Sequence, residues 1–595
     1  MHRLRLLQLH QVRQSGPPQP TALIGVSGAA DTSFKAAAGA VSAWAVPLFF
    51  LACAGLCFCL PLSNPDIFWH LSAARWIFEH AAFPRQDWLS WSMGGAPWAD
   101  FEWLSQIIFF GLYKLGGFHA LWFLKILLHA FAAGLLWICL GLYGAGPFAR
   151  SLGIFAWALG IAPSCDLRPE NFSLIFFLGL WTWLESRRMR KEVACRHEAG
   201  LFGLPLLFIL WSNLHAGFPY GLLLLGIYGL GELRRKRSWT LLAACALAIP
   251  AALAHPCGAD VYRVLLSHWT DLGLLQEHIR EWQPPFVTDS WQWPFWGVLL
   301  AAYGGALAAC LRSRRPPFEH LAALCVFGLS AGGHARTTVY LVSVGIPIIT
   351  ASFQDLRERR WVGRSLAVLA CAQTVFFLGK AVPWITYGPK NVFFGRYAPV
   401  GLAVFLKDEQ EALAKLWMTN PWHWGGYLGW RLGPRYQVSV DGRYIFHPML
   451  RSLEEANNSP EKFQRWADGC GAQLVLLERT AQFYPIADID RKGKRGISWR
   501  PFYHLFLPAR TWALVYWDDQ ALAFVRRSAV SASWLREKEF TLFRPDDLTA
   551  LSSLLAQGRA DRARVLREID LYARWGGSAQ AQAAKIWLQS VRRPR

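Results

Sequence analysis

A group of acidic, basic and aromatic side chains directly follows the first long apolar run, in the segment NPDIFWHLSAARWIFEH at residues 64–80. Asp66 is its first ionisable residue, and His70 and Arg75 lie four and nine positions further on. A carboxylate at such a position can act as a general base towards a hydroxyl group. It can also cap the helix that follows, by accepting hydrogen bonds from the first amides. Both interpretations of Asp66 remain open at this stage.

Further polar motifs occur at the ends of other apolar runs. They contain carboxylates for acid–base chemistry and Arg or His side chains, which bind phosphate oxygens well. The candidate catalytic acids are Asp66, Asp100 and Glu102. The candidate phosphate ligands are Arg168, His215, His334 and Arg336. The candidate substrate contacts are His70, Arg75, Glu170, Glu281 and Trp282. Single-residue alternatives are a snorkelling arginine at 168 and satisfied core histidines at 215 and 334.

The apolar composition indicates a polytopic membrane protein, because 53% of the 595 residues are hydrophobic and only 17% are charged. The predicted spans are about 43–63, 120–143, 151–165, 170–186, 200–213, 216–233, 239–254, 293–311, 317–332, 338–353 and 363–382. Residues 103–116 are predicted to form a juxtamembrane or re-entrant helix. We therefore expect about 11–13 spans within residues 43–386.

The distribution of basic residues predicts the topology. The net charge is +21, and Arg and Lys occur largely in short clusters between spans. This positive-inside pattern favours a cytoplasmic membrane protein over a nucleic-acid-binding one, so no nucleic-acid partner is expected. It predicts a multi-pass membrane protein with a cytoplasmic N-terminal tail, residues 1–42. All the polar motifs then lie on the extracytoplasmic side, the first of them in a long external loop at 64–119.

The composition changes after residue 386. Segments such as AKLWMTN, YQVSVDGR, AQLVLLER and WALVYWDDQALAFVRR read as short strands, with DDQ as a hairpin turn. We predict an extracytoplasmic α/β domain over 387–544. Two helical patterns broken at WGG predict a terminal helical hairpin over 545–595.

Several motifs in this order resemble those of bacterial GT-C-type membrane glycosyltransferases. The motifs are the acidic residue after the first span, PWADFEWLSQIIFFGLYKLGG, RPENFSL, LWSNLHAGFPYGLLLL, and NPWHWGGYLGWRL followed by VSVDGR. They are similar to the group that contains the dolichyl-phosphate-mannose protein mannosyltransferases and the lipid A aminoarabinose transferase. The resemblance covers about residues 43–445.

The resemblance implies transfer of a sugar from a polyprenyl-phosphate donor to a protein, lipid or glycan acceptor. Asp66 matches the acidic residue of the first external loop that acts on the acceptor in these enzymes. The sequence departs from the mannosyltransferase pattern, because Ile67 stands where a second acid is usual and the Lys-Pro-Pro segment is absent. Asp100 or Glu102, folded back towards Asp66, is the expected second acid.

The need for a metal ion is open, because Asp66, Asp100, Glu102 and His70 can together bind a divalent cation although their spacing is not a metal signature. No other cofactor is indicated. Two further functions compete with the transferase. One is a transporter or flippase for a lipid-linked precursor, and the other is a non-catalytic scaffold of an envelope-assembly system.

Overall fold

The computed structural model of the chain describes residues 44–190, 195–312, 315–353, 360–387, 398–489 and 495–591. The predicted N-terminal tail therefore lies outside the described residues. The helices before residue 388 are α1 Trp44–Phe58, α2 Asp66–His80, α3 Trp103–Leu142, α4 Pro147–Ile161, α5 Glu170–Met189, α6 Cys195–Leu214, α7 Phe218–Lys236, α8 Thr240–Ala251, α9 Asp260–Thr270, α10 Leu272–His278, α11 Trp293–Leu311, α12 Phe318–Gly333, α13 Thr338–Ser352 and α14 Arg360–Tyr387.

The helices agree with the predicted spans, each of which falls on one of α1, α3–α8 and α11–α14. By length and composition, three described helices can cross a membrane, namely Trp103–Leu142, Ser290–Leu311 and Ala335–Ser352. Five other apolar helical stretches of the described chain are shorter, at 10–17 residues, as expected where helices pack among neighbours: Trp44–Phe58, Gly203–Leu214, Thr240–Ala251, Phe318–Gly333 and Val368–Lys380. Their common core contains the fully buried rings of Trp157, Trp181 and Trp211. The chain has the architecture of a helical polytopic membrane protein.

α3 combines two segments that the sequence separated, the helix at 103–116 and the span at 120–143. The structure joins them into one helix of 40 residues with a break at Gly116 and Gly117. Gly117 has φ 59° and ψ −148°, a backbone conformation that residues with a Cβ rarely adopt. The break therefore lies where the sequence placed the boundary. Which part of α3 crosses the membrane stays a prediction.

The C-terminal part contains a small mixed sheet. Its strands, with those of a separate hairpin, are β1 Met418–Thr419, β2 Leu474–Glu478, β3 Phe483–Ile489, β4 Arg495–Pro501, β5 Trp512–Trp517 and β6 Ala521–Arg526. The sheet order is β1–β2–β6–β5, with β1 parallel to β2 and the other pairs antiparallel. Leu474 pairs with Val525 in the centre of this sheet. The hairpin predicted at DDQ is confirmed as β5–β6.

The predicted strand in YQVSVDGR is wrong. Within it, only Val438 makes an isolated bridge, to Ser90 in the predicted first external loop. Its backbone instead follows that loop, where Trp91 donates to the Val438 carbonyl at 3.1 Å. The β3–β4 hairpin was not predicted.

Helices surround the sheet. They are α15 Val400–Asp408, α16 Gln410–Leu413, α17 Gly425–Leu432, α18 Leu450–Asn457, α19 Pro460–Gly469, α20 Tyr503–Phe506, α21 Ala532–Lys538, α22 Leu548–Ala556, α23 Arg562–Tyr572 and α24 Ser578–Ser590. The predicted hairpin at WGG is present as α23 and α24, and α22 precedes it as a third short helix.

Both faces of the sheet are buried, which explains the nearly continuous apolar sequence of β5 and β6. On one face, small side chains such as Ala513 and Ala523 share a core with α2 and α17. On the other face, Leu514 and Phe524 pack with the terminal helices α22–α24. α2, which lies in the predicted first external loop, is therefore part of the core of the C-terminal region. The division at residue 545 stays a prediction, although the parts on either side of it share this packing.

Candidate active site

Asp166 fixes the chain just before Asp66. Its carboxylate accepts hydrogen bonds from the Ser63 amide, the Ser63 hydroxyl and the Asn64 amide, each at 2.7 Å. The Asn64 side-chain oxygen in turn accepts from the Asp66 amide at 2.9 Å. The segment that leads into α5 therefore determines where α2 begins.

α2 lies directly against α17 and the VDGR segment, and two glycines allow this approach. A Cβ at Gly426 would lie 3.2 Å from the Pro65 carbonyl oxygen and 3.3 Å from the Trp69 amide nitrogen. A Cβ at Gly442 would overlap with a carboxylate oxygen of Asp66. The Asp66 carboxylate therefore lies on the backbone at Gly442, and both glycines are needed for space rather than for a turn.

The Asp66 side chain does not cap its helix. Pro65 is the N-cap residue of α2, and no side-chain capping hydrogen bond is present there. The capping alternative is therefore wrong in this structure. Burial raises the pKa of Asp66, although the positive charges of Arg168 and Arg336 partly oppose this effect. Asp66 is thus a carboxylate with increased proton affinity and cationic neighbours.

Two arginines close to Asp66 share one glutamate. Arg168 donates to Glu281 at 2.6 Å, and Arg336 donates to the other oxygen of Glu281 at 3.3 Å. Glu170 lies 3.8 Å from Arg336 on the other side. Burial acts to raise the pKa of Glu281, but Arg168 and Arg336 outweigh it and lower the pKa to about 2. Glu281 is therefore an anion that bridges two guanidinium groups.

Glu102 lies between two histidines. Its carboxyl oxygens are 3.8 Å from His70 Nε2 and 3.6 Å from His215 Nε2. Burial raises the pKa of Glu102 to about 8, and it lowers the pKa of His215 to about 3 with help from Arg336 and Arg168. Burial also lowers the pKa of His70. At neutral pH, Glu102 is therefore mostly protonated between two neutral imidazoles.

The orientation of His215 is set by its other ring nitrogen. Nδ1 accepts from the Gly217 amide at 3.0 Å and lies 2.7 Å from the Ser173 hydroxyl. Because Nδ1 is an acceptor, the neutral ring carries its proton on Nε2, which faces Glu102. His215 thus offers a neutral hydrogen-bond donor. Its predicted role as a phosphate ligand stays a prediction.

Asp100 lies beside Glu102, and its negative charge helps to raise the pKa of Glu102. It accepts from Gln106 Nε2 at 2.6 Å, and burial raises its pKa to about 7. The charge of Asp66 raises the pKa of Glu102 but does not contribute to that of Asp100. Of the two expected partners of Asp66, Glu102 is therefore the one in electrostatic contact with it.

Aromatic and imidazole rings form one side of the arginine pair. Trp282 lies 5.7 Å from the Arg336 guanidinium and 5.3 Å from the His334 ring. His268 continues this row, at 5.7 Å from Trp282 and 5.4 Å from His447. Burial lowers the pKa of His334 to about 4 and that of His447 to about 3. The rings are neutral at pH 7 and present flat, weakly polar faces.

Arg75 is placed elsewhere. Its guanidinium lies over the Trp430 ring at 4.4 Å and donates to the Trp430 carbonyl at 3.2 Å. This contact ties α2 to α17. The structure does not join Arg75 to the arginine pair, and its predicted substrate contact stays a prediction.

Sequence reasoning missed four residues that support the site: Asp166, Ser173, His268 and His447. For Asp166 a signal was available, since it belongs to the same DLRPE motif as Arg168. Ser173 and His447 have no distinctive sequence context. They are recognised only because folding brings Ser173 to His215 and His447 to His268.

Within the described ranges, no three or more His, Cys, Asp or Glu side chains are grouped so that they could hold a metal ion. The four residues considered for a divalent ion therefore do not form such a group.

The sequence itself matches no protein-family profile and no curated protein. The structure, however, overlaps with an oligosaccharyltransferase from Archaeoglobus fulgidus tethered to an acceptor peptide containing the NVT sequon, at a TM-score of 0.50. The identity is 11%, and the alignment covers 92% of this chain and 86% of that chain. This chain has a GT-C glycosyltransferase fold.

The same GT-C overlap occurs with archaeal AglB from Archaeoglobus fulgidus in complex with an inhibitory peptide and a dolichol-phosphate. The TM-score is again 0.50, with 11% identity and coverage of 92% and 86% of the two chains. ArnT from Cupriavidus metallidurans bound to undecaprenyl phosphate gives a TM-score of 0.42, with 14% identity and coverage of 81% and 98%. The GT-C fold predicted from the motifs is confirmed by the overlap with the two Archaeoglobus fulgidus structures.

Proposed function

We propose that this protein is a membrane glycosyltransferase that moves a sugar from a polyprenyl-phosphate donor to an acceptor on the extracytoplasmic side. The observation that carries the proposal is the Asp66 carboxylate beside two arginines that share a single glutamate. The GT-C fold supports it. One of the two Archaeoglobus fulgidus structures was tethered to an acceptor peptide, and the second held a dolichol-phosphate. The proposed location is the bacterial inner membrane.

The arginine pair is the proposed phosphate site. Arg168 and Arg336 are 23% and 30% exposed, so a ligand can reach them. Their common partner Glu281 is an anion whose two oxygens accept hydrogen bonds from both guanidinium groups. The oxygens of a phosphate can accept from the same two groups. Donor binding then exchanges the Glu281 carboxylate for the donor phosphate. Fixed positive charge at this point stabilises the negative charge that develops on the leaving phosphate.

Asp66 is the proposed general base. Its increased proton affinity suits removal of a proton from an acceptor hydroxyl, provided that the carboxyl is ionised first. Glu102 suits a different role, because its raised pKa keeps it mostly protonated near pH 7. A neutral carboxyl can donate a hydrogen bond to substrate oxygen, and two acids with different protonation states can divide the roles of base and donor. Direct displacement would invert the anomeric carbon.

The ring row of Trp282, His334, His268 and His447 is the proposed sugar-facing wall. Aromatic faces bury the apolar face of a sugar ring without requiring charge. This wall adjoins the proposed phosphate site through the contact of Trp282 with Arg336. The acceptor can be a protein, a lipid or a glycan.

The proposal is tested by transfer from a labelled polyprenyl-phosphate sugar in membranes that contain wild-type protein, Asp66→Asn or Asp260→Asn. Asp260 is a matched control because it is the first residue of a helix and its side chain is 44% exposed. We expect loss of transfer only with Asp66→Asn. Undiminished transfer by this variant would remove Asp66 from its role, and no transfer by wild-type protein with any acceptor class would overturn the proposal.

A further inference from the structure

α3 carries two buried polar side chains, Lys125 and His129, to which the proposed transferase assigns no role. Lys125 is 0% exposed and His129 is 1% exposed, and both lie in the predicted span at 120–143. They are four residues apart and therefore share one face of the helix. Ionisable side chains inside membrane spans are costly and commonly mark functional positions, so their partners are informative.

His129 is linked to the backbone of Arg168 through one other side chain. The His129 Nδ1 atom lies 2.8 Å from the Lys125 carbonyl oxygen, which can only accept, so the neutral ring carries its proton on Nδ1. Nε2 is then an acceptor, and Asn171 Nδ2 donates to it at 3.4 Å. Asn171 Oδ1 accepts from the Arg168 amide at 2.8 Å. A continuous chain of hydrogen bonds thus runs from α3 to Arg168.

Asn171 holds Arg168 by two bonds. In addition to the bond at Oδ1, the Asn171 backbone amide donates to the Arg168 carbonyl oxygen at 3.0 Å. This reciprocal pair fixes the main chain of Arg168 just before α5. The Arg168 guanidinium extends from this fixed backbone to Glu281 at 2.6 Å. A displacement of Asn171 therefore displaces the proposed phosphate ligand.

The same turn of α3 also holds the segment that leads to the proposed base. Lys125 Nζ donates to the Leu60 carbonyl oxygen, and Trp122 Nε1 donates to the same oxygen at 3.2 Å. Leu60 stands six residues before Asp66, in the short connection between α1 and α2. One turn of α3 is therefore bonded to the chain on both sides of the candidate site.

We propose that His129 is a positioning residue that fixes Arg168 for the donor phosphate, and that Lys125 on the same turn fixes the segment before Asp66. Together they set the separation between the phosphate ligand and the base. Such positioning matters because a misplacement of about 1 Å can cost on the order of 10²-fold in rate. The inference rests on the proposed function, since it acts through Arg168 and Asp66.

The experiment uses the full-length protein in detergent and measures two quantities, the affinity for undecaprenyl phosphate and the transfer rate at saturating donor. His129→Phe keeps a ring against Phe58, whose centroid is 5.3 Å away, but removes both hydrogen bonds of the imidazole. His129→Gln keeps an acceptor for Asn171. Lys125→Met removes the donor to the Leu60 carbonyl.

A matched control and a double variant separate positioning from general stability. Ser343→Ala removes an equally buried hydrogen bond between two other helices, which Trp157 Nε1 donates to Ser343 at 3.1 Å. The double variant is His129→Phe/Arg168→Gln. Affinity and rate are expressed per folded molecule, from thermal unfolding of each variant. Asn171→Ala, which breaks the same chain of bonds, replaces His129→Phe if that variant does not fold.

We expect His129→Phe to bind undecaprenyl phosphate about tenfold more weakly than wild type, with His129→Gln and Ser343→Ala close to wild type. Lys125→Met should lower the saturated transfer rate and leave the affinity nearly unchanged. The double variant should bind as weakly as Arg168→Gln alone, because His129 acts through Arg168 and the two losses are not additive.

Additive losses in the double variant, or equal losses in His129→Phe and Ser343→Ala, would overturn the inference for His129. An unchanged saturated rate in Lys125→Met would overturn it for Lys125. Both results leave the proposed transferase standing, provided that Arg168→Gln weakens binding. Wild-type affinity in Arg168→Gln would instead overturn the proposed phosphate site, and the inference with it.

Discussion

Two arginine–carboxylate clusters lie near the start of α2, and they differ in access. Arg443 is 1% exposed and forms ion pairs with Asp441 at 2.8 Å and Asp87 at 2.7 Å, between the rings of Trp98 and Phe446. Arg168 and Arg336 are partly exposed and share Glu281, itself 33% exposed. The first cluster has two acids for one cation, whereas in the second two cations share Glu281 and Glu170 lies 3.8 Å from Arg336.

This difference in access distinguishes a charge cluster that stabilises the fold from one that can bind a ligand. The Arg443 cluster ties the VDGR segment to the first external loop, and no ligand can reach it. The Arg168–Arg336 pair is accessible, lies beside Asp66 and is held together by one acid, Glu281. A charge cluster that can exchange its partner is suited to bind a substrate anion.

The largest effect on activity is expected from Asp66→Asn. General-base catalysis typically contributes about 10²–10⁴-fold, so transfer should fall by that factor while the unfolding midpoint stays close to wild type. The check is the initial rate of sugar transfer together with thermal unfolding in detergent. Equal loss with the exposed control Asp260→Asn would break the assignment.

Arg168→Gln should reduce transfer by about 10²–10³-fold, since one fixed positive group at the developing charge is removed. The folded state should be little affected, because Glu281 keeps Arg336 as a partner. Donor-concentration dependence of the rate separates weaker binding from slower chemistry. A variant that is unstable but fully active when folded would contradict the ligand role.

Arg443→Met should lower stability and leave activity nearly unchanged, the opposite of what is expected for Asp66→Asn and Arg168→Gln. It leaves Asp441 and Asp87 buried without their cation, which is expected to cost about 3–5 kcal/mol of stability. Activity per folded molecule should remain within a few-fold of wild type. Measurement of the folded fraction beside the transfer rate tests this, and a stable but inactive variant would place Arg443 in the chemistry instead.

Glu281→Gln should strengthen donor binding by about tenfold, because a neutral amide competes less well for the two arginines than a carboxylate does. The measured quantity is the affinity for a polyprenyl phosphate. Weaker binding would mean that Glu281 orients the arginines and is not exchanged.

Glu102→Gln should have the smallest effect near neutral pH. Glu102 is protonated below its pKa of about 8 and negatively charged above it, so a hydrogen-bond donor is lost as the pH rises through 8. Wild-type transfer should therefore decrease at alkaline pH, whereas Glu102→Gln, whose amide does not titrate, should lose this decrease. Transfer should also rise with pH through the pKa of Asp66 in both proteins. An unchanged alkaline decrease in the variant would exclude Glu102 as its cause.

Much of the fold could be predicted from the sequence. Apolar run length located the helices, and the turn residues of DDQ and WGG located two hairpins. The strand predicted in YQVSVDGR was wrong. Its apolar alternation reflects packing against residues 89–91 and not pairing in a sheet. Local pattern alone cannot distinguish these two environments.

The sequence indicated which residues to consider for the candidate site, but not which of them contact one another. Asp66, Glu102, Arg168, Glu281 and Arg336 were all identified from charge at the ends of apolar runs. Which carboxylate faces which arginine depends on contacts between distant segments, such as Arg168 with Glu281, 113 residues apart. The neutral state of His215 likewise depends on burial that forms only on folding.

The central claim is tested most directly by an experimental structure with a bound polyprenyl phosphate. We predict that the phosphate contacts Arg168 and Arg336, that Glu281 is displaced from both, and that Asp66 lies beside the sugar-bearing position. A phosphate bound elsewhere, with the Arg168–Glu281–Arg336 bridge intact, would contradict this account.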